Sequence, residues 1–175
     1  QFLADDETID KIQQINRELN TQLVDEETIP NIQWIPKTFE FSNMFSYGPN
    51  NLIRFDNLKG MIGVFAPNAS GKSSLFDAIS FCIFDKTSRT YLAKNILNNR
   101  KTEFDCKLNF QIDGVNYFIE RKAKIINKGK NIKVDVDFWK VEDGLVTSLN
   151  GEQRRDTNSI IQQYMGTYED FVLTT

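Results

Sequence analysis

The stretch from Met61 to Phe84, MIGVFAPNASGKSSLFDAISFCIF, constrains this chain more than any other. Met61, Ile62, Val64 and Phe65 form a short apolar run, the pattern of a strand buried on both faces. Ala66 to Ser73, APNASGKS, matches the phosphate-binding loop with alanine in place of the first glycine. Ser74 to Phe84 then carries Leu75, Phe76, Ala78, Ile79, Phe81, Cys82, Ile83 and Phe84, which predicts a helix buried nearly all round.

The residue types follow from the chemistry of a bound polyphosphate. Several backbone N–H groups must converge on one anion, and bulky side chains would block them. Small residues let the backbone come close. A helix that starts there adds free N–H groups and a favourable dipole. The candidate contacts are Pro67, Asn68, Ala69, Ser70, Gly71, Lys72, Ser73 and Ser74. Lys72 would neutralise the β- and γ-phosphates, and the Ser73 hydroxyl would ligate a magnesium ion. Ala69 stands where glycine is usual and resists a positive φ. The competing interpretation is a chance match inside a core helix.

Composition narrows the classes. The 175 residues suffice for one domain, with 40% hydrophobic content and 14 phenylalanines for a core. A net charge of −3 argues against a generally basic nucleic-acid binder, though not against a local patch. There is no histidine, which removes His-based triads and argues against a dinuclear metallo-nuclease site in this chain. Two cysteines, Cys82 and Cys106, with no secretory signal, point to a reducing, cytoplasmic setting. No apolar run has the length of a membrane span. Gln1 in place of Met, and an apolar Phe171 to Thr175 end, suggest a piece of something longer.

Residues 4 to 24 carry Ile9, Ile12, Ile15, Leu19 and Leu23 at helical spacing among polar residues. That helix would either pack on its own domain or dock elsewhere. Residues 25 to 33 form an acidic linker. Strands are predicted at Trp34 to Phe41 and Leu52 to Phe55, with a turn at Asn43 to Gly48. Asp85 to Lys101 is polar, with a short helical piece around Tyr91 to Leu97. Its Lys86, Arg89, Lys94, Arg100 and Lys101 make either a solvated face or a nucleic-acid-facing patch. Phe104 to Ile112 alternates cleanly, Asp113-Gly114 is a hairpin turn, and Val115 to Lys124 returns. Asn127 to Lys130 turns again before Ile132 to Phe138. Glu142 to Gly144 leads into a last strand, Leu145 to Leu149. Arg121, Lys122, Lys124, Lys128, Lys130 and Lys133 cluster at one end of this meander, either solvated or contacting DNA phosphate. A helix over Arg155 to Met165 ends at Gly166, and Tyr168 to Leu173 is a short apolar segment.

A hydrolytic enzyme of this loop class needs an apolar strand ending in an acid. Neither Tyr117 to Glu120 nor Val134 to Asp137 fits, so no catalytic residue is assigned: the chain holds a phosphate cradle without the hydrolytic acid. The segments FEFSNMFSYGPNNLIRF (39–55), GVFAPNASGKSSLFDAISFCIFDK (63–86) and GTYEDFVLTT (166–175) give it a family resemblance. The chain resembles the N-terminal lobe of SMC-like ABC ATPases, nearest to the SbcC-type subunit of the double-strand-break repair exonuclease and its bacteriophage counterparts.

That resemblance implies an α/β P-loop NTPase fold, with mixed and antiparallel sheets around the buried loop helix. It implies an ATPase lobe over residues 37–175, with residues 1–36 outside it. It implies ATP and Mg2+ as cofactors, with Asn43 and Ser46 beside the nucleotide. The implied partners are a C-terminal lobe of the same protein, a second head closing an ATP sandwich, a nuclease and DNA, with no membrane. Two other functions stay open from the residues. One is an interaction module with a decayed loop. The other is a nucleotide or small-molecule kinase, whose strands and helices would alternate after the loop.

Overall fold

The computed structural model describes Lys11 and residues 33–58, 60, 63–65, 67–68, 70–126 and 131–174. The chain divides into two units, 1–31 and 32–175, and the second is the body described here. The helix expected over 4 to 24 and the turn at 127 to 130 lie outside the described residues, apart from Lys11.

Among the described residues six strands form one sheet: β1 (Ile35–Ser42), β2 (Asn51–Arg54), β3 (Glu103–Ile112), β4 (Val115–Ile126), β5 (Asn131–Glu142) and β6 (Leu145–Ser148). Their order is β2-β1-β3-β4-β5-β6, and every described pair is antiparallel. The expected mixed sheet therefore has no parallel pair among the described residues. Asp113 (φ 49°) and Gly114 (φ 84°) both take positive φ, and so do Asp143 (φ 50°) and Gly144 (φ 78°). Those are the conformations that a tight two-residue hairpin requires, and Asp-Gly adopts them readily.

Alternation decides which face is buried. In β3, Phe104, Cys106, Leu108, Phe110 and Ile112 point into the core, while Asp105, Lys107, Asn109 and Gln111 point out. Register aligns Leu108 with Phe39 of β1 and with Ile119 of β4, and Ile119 with Phe138 of β5. Among the described residues four α-helices, α1 (Lys72–Phe84), α2 (Ala93–Ile96), α3 (Arg154–Met165) and α4 (Tyr168–Thr174), and a 3-10 turn at Phe55–Asn57 accompany the sheet. The inner face of the sheet packs against α1 and α3 in one apolar core. Phe81 of α1 meets Phe104 edge-on at 5.6 Å, and Tyr164 of α3 meets Phe138 at 5.3 Å.

Three expectations are corrected. Gly63, Val64 and Phe65 form no strand; Val64 is 49% exposed and Phe65 93% exposed. Gly63, Val64 and Phe65 have no sheet neighbour among the described residues, and Met61 and Ile62 of the expected strand lie outside them. Second, α1 is not apolar all round its buried side. Phe76 is exposed, whereas Ser74, Asp77 and Ser80 are buried. Each of these polar groups is hydrogen-bonded, which removes most of the cost of burying it: Ser74 and Asp77 to Arg89, and Ser80 from Oγ to the Lys86 carbonyl at 3.0 Å.

Third, Arg121 does not belong to a basic hairpin surface. It shares the inward face of β4 with Ile119 and Ala123 and is fully buried. Its Nε donates to the Cys82 carbonyl at 2.7 Å and one Nη to the Ile83 carbonyl at 3.0 Å. These are acceptors that the end of α1 would otherwise leave unpaired. Burial lowers the pKa of its guanidinium, and nearby Asp85 opposes that shift. Asp85 ends α1 in the left-handed conformation and also pairs with Arg154 and Asn158 of α3. The neighbouring Lys122 and Lys133 pair with Glu120 and Asp135, so that part of the supposed patch is charge-balanced.

The short apolar segment Tyr168 to Leu173 is helical. Thr167 accepts the Asp170 N–H at its start, and Phe84 packs on Tyr168 and Phe171.

Candidate functional site

The site forms where the turn after β1 meets the start of α1. The turn 43–48 is held from two sides. The Asn43 N–H donates to the Gly48 carbonyl, and the Asn98 N–H donates to the Asn43 carbonyl, both at 2.9 Å. Phe45 N–H donates to the Ile96 carbonyl, and Met44 bridges Leu97. Asn43 and Phe45 take positive φ, so the turn is sharp. The turn in turn fixes the loop: the Tyr47 hydroxyl donates to the Gly71 carbonyl at 3.1 Å.

Gly71 precedes α1 with φ +100°, a conformation disfavoured for L side chains. A Cβ there would stand 3.1 Å from Ser46 Oγ and 3.4 Å from the Tyr47 ring. Glycine at 71 is thus favoured twice, by dihedral and by space. Lys72 opens the helix and its Nζ donates to the Pro67 carbonyl at 2.8 Å, so the amine folds back over its own loop. The Ser70 N–H also donates to Pro67, at 3.2 Å.

Phe45, Ser46, Asn68, Gly71, Lys72, Ser73, Ser74 and Arg89 line a cleft of about 500 Å³. A second cleft of about 500 Å³ is lined by Phe45, Ser46, Asn95, Leu97, Asn98, Asn99 and Arg100. The two share Phe45 and Ser46. Of the residues proposed from sequence, Ser46, Asn68, Gly71, Lys72, Ser73 and Ser74 come together in the first cleft. Pro67 and Ser70 shape the loop beside it. Asn43 is not among the lining residues; its backbone ties the turn to Asn98. Ala66 and Ala69 lie outside the described residues.

Arg89 was not proposed for this site. Asp77, 3% exposed on α1, anchors it: Arg89 Nε donates to Oδ2 at 2.7 Å, while the N–H and hydroxyl of Ser88 occupy Oδ1 at 2.9 and 2.8 Å. The sequence signal was a single acid within an apolar helix, since a buried carboxylate demands a partner. Among the described residues no group of His, Cys, Asp and Glu has the makings of a protein-only metal site.

Comparison with known proteins places this geometry in a family. A family model described as an AAA domain matches residues 39–170. Protein R555 of Acanthamoeba polyphaga mimivirus is 38% identical over 149 residues, which are 81% of this chain and 11% of that protein. The DNA double-strand break repair Rad50 ATPase of Methanococcus maripaludis is 31% identical over 88 residues, 50% of this chain and 9% of the relative. The SbcC component of the SbcCD nuclease from Clostridium acetobutylicum is 24% identical over 79% of this chain and 12% of the relative. The chain therefore spans only about a tenth of the curated relatives it matches. Among solved structures, the recombination mediator RecF bound to ATP shares the fold with a TM-score of 0.51, at 18% identity over 74% of this chain and 31% of RecF. The chain belongs to the AAA-domain family and is similar in sequence to part of the Rad50 and SbcC ATPases.

Proposed function

We propose that this lobe binds ATP with magnesium, and that the ATPase cycle of the whole protein controls a partner nuclease in DNA double-strand-break repair or recombination. One observation carries the reading: a left-handed Gly71 leads directly into a 13-residue helix whose first residues, Lys72, Ser73 and Ser74, line one cleft. The residues fit the cofactor. A Cβ at 71 would crowd Ser46, a cation stands at 72, a hydroxyl follows at 73, and the helix N-terminus supplies N–H donors. Lys72 would hold the β- and γ-phosphates, and Ser73 would be a protein ligand of the magnesium. Bound there, the ion would supply charge neutralisation to the phosphates.

The second cleft would take the nucleoside. It continues from the first through Phe45 and Ser46; Asn95 and Asn98 spend their NH2 groups on Thr90 and the Tyr47 carbonyl, which leaves Asn99 as the amide to meet a base edge. The remaining parts of the motor lie outside this lobe: a C-terminal lobe of the same protein with the acidic and signature motifs, a second head, the partner nuclease and DNA. The exposed Val64 and Phe65 favour a further packing surface on this lobe. A cytoplasmic setting goes with this role; among the described residues no helix is long and apolar enough to cross a membrane. The kinase reading loses ground because antiparallel strands, not alternating strand and helix, follow α1.

Isothermal titration of MgATP into the wild-type chain and into Lys72→Ala tests the proposal. Binding by the wild type and its loss in the variant is expected, because a charge-assisted phosphate contact disappears. Equal affinity would refute the role given to Lys72.

A further inference from the structure

Arg89 is held too firmly for a solvated side chain. Its guanidinium has three anchors. Nε bonds to Asp77, and one Nη stands 2.5 Å from the same carboxylate and donates to Ser74 Oγ at 3.0 Å. The guanidinium carbon lies 5.4 Å from the centre of the Phe45 ring. These bonds use Nε and one Nη; the second Nη takes part in none of them. The carboxylate that fixes the group is buried, whereas the arginine side chain is 53% exposed and lines the loop cleft. A buried acid, a hydroxyl from the loop helix and an aromatic face thus present a planar cation to a cleft. Guanidinium recognises phosphate oxygens through this kind of fixed fork, and a fixed fork loses little freedom on binding.

Its position along the cleft indicates which phosphate it meets. Lys72 and Ser73 serve the outer phosphates and the magnesium in a loop of this type. Arg89 is bonded one residue further on, at Ser74. It also stacks on Phe45, which the phosphate cleft shares with the second cleft. That is the junction between polyphosphate and nucleoside. Resting on the nucleotide reading of this site, we infer that Arg89 is a nucleotide-binding residue whose guanidinium contacts the α-phosphate, with Asp77 and Ser74 as its positioning residues.

The test is equilibrium titration of MgATP and MgADP into the full 175-residue chain as wild type, Arg89→Gln and Arg89→Lys. An α-phosphate contact is common to both nucleotides, so Arg89→Gln weakens ATP and ADP alike, by roughly tenfold, the worth of one charged hydrogen bond. It also makes the salt dependence of affinity shallower, which a purely structural role would not do. Arg89→Lys keeps the charge near Asp77 and serves if the glutamine variant does not fold. It is expected to unfold at nearly the wild-type temperature, yet to bind both nucleotides a few-fold more weakly, because a lysine has no fork. Asp77→Asn should shift affinity in the same direction by a smaller factor. Unchanged affinity for both nucleotides in the arginine variants overturns the inference. So does a loss confined to ATP, which would move Arg89 to the terminal phosphate. If the wild type binds neither nucleotide, the nucleotide reading itself fails. Binding by the wild type with no effect at Arg89 sinks the inference alone.

Discussion

Arg121 donates from Nε to the main-chain carbonyl of Cys82 at 2.7 Å, joining the central strand β4 to the last turn of the loop helix. A second bond reaches the Ile83 carbonyl, and the guanidinium is wholly buried. Replacing it with methionine keeps much of the volume but leaves two buried carbonyls and the Asp85 carboxylate short of donors. The expected loss is about 3–5 kcal/mol, the cost of removing one partner from a buried charged network. Arg121→Lys should lose nearly as much, because one ammonium does not reach both carbonyls in a fork. Urea unfolding with an unchanged m-value checks this; a loss below about 1 kcal/mol would contradict the capping role.

Gly71→Ala sets a dihedral penalty against a steric one. A left-handed conformation costs an L residue about 1–2 kcal/mol, before the contact with Ser46 is counted. A loss of that size lowers the melting temperature of a chain this long by about 2–8 °C. Gly114→Ala, equally positive in φ (84°) but with nothing within 4 Å of the new Cβ, should show the dihedral penalty alone. A melting loss no larger at 71 than at 114 would remove the argument from crowding.

Phe138 joins β5 to α3, 5.3 Å from Tyr164 and 6.2 Å from Tyr117. It is fully buried. Phe138→Ala is expected to cost about 3–5 kcal/mol through lost transfer energy and the cavity left behind. Phe118, on the outer face of β4 against Trp139, is only partly covered, so Phe118→Ala should cost clearly less in the same denaturation series.

Asp105 gives a dependence on pH. Burial raises its pKa above the ordinary 3.8, although a hydrogen bond from Ser42 works in the opposite direction. The folded state therefore binds this proton more tightly than the unfolded state. The stability it confers is present below 3.8 and is lost as pH rises through the raised folded value. Asp105→Asn should accordingly melt at a higher temperature than wild type at neutral pH. The gap should close as pH falls towards 3.8. A constant gap across that range would show that some other effect of the substitution dominates.

Strands β3 to β6 were legible because two rules agreed: strict alternation and Asp-Gly turns at 113–114 and 143–144. The start of α1 was legible because the loop's residue types admit few other geometries. Arg121 was misplaced because its charge was weighed and its parity was not. It falls in step with Tyr117, Ile119 and Ala123, all inward, whereas Lys122 and Lys124 fall out of step. Arg89 was hidden for a different reason. Asp77 announced a need for a cation, but Lys86, Arg89, Lys94, Arg100 and Lys101 all lay within reach in sequence. Only the fold selects among them. Val64 and Phe65 misled because an apolar stretch records that cover is wanted, not which part of the chain supplies it.

The ring of Phe65, 93% exposed, has a consequence for handling the protein. A net charge of −3 gives copies little mutual repulsion, and a bare benzyl group next to a half-bare valine offers them a contact. Concentrated samples are expected to thicken into reversible clusters that grow with added salt, and Phe65→Ser should keep the solution clear.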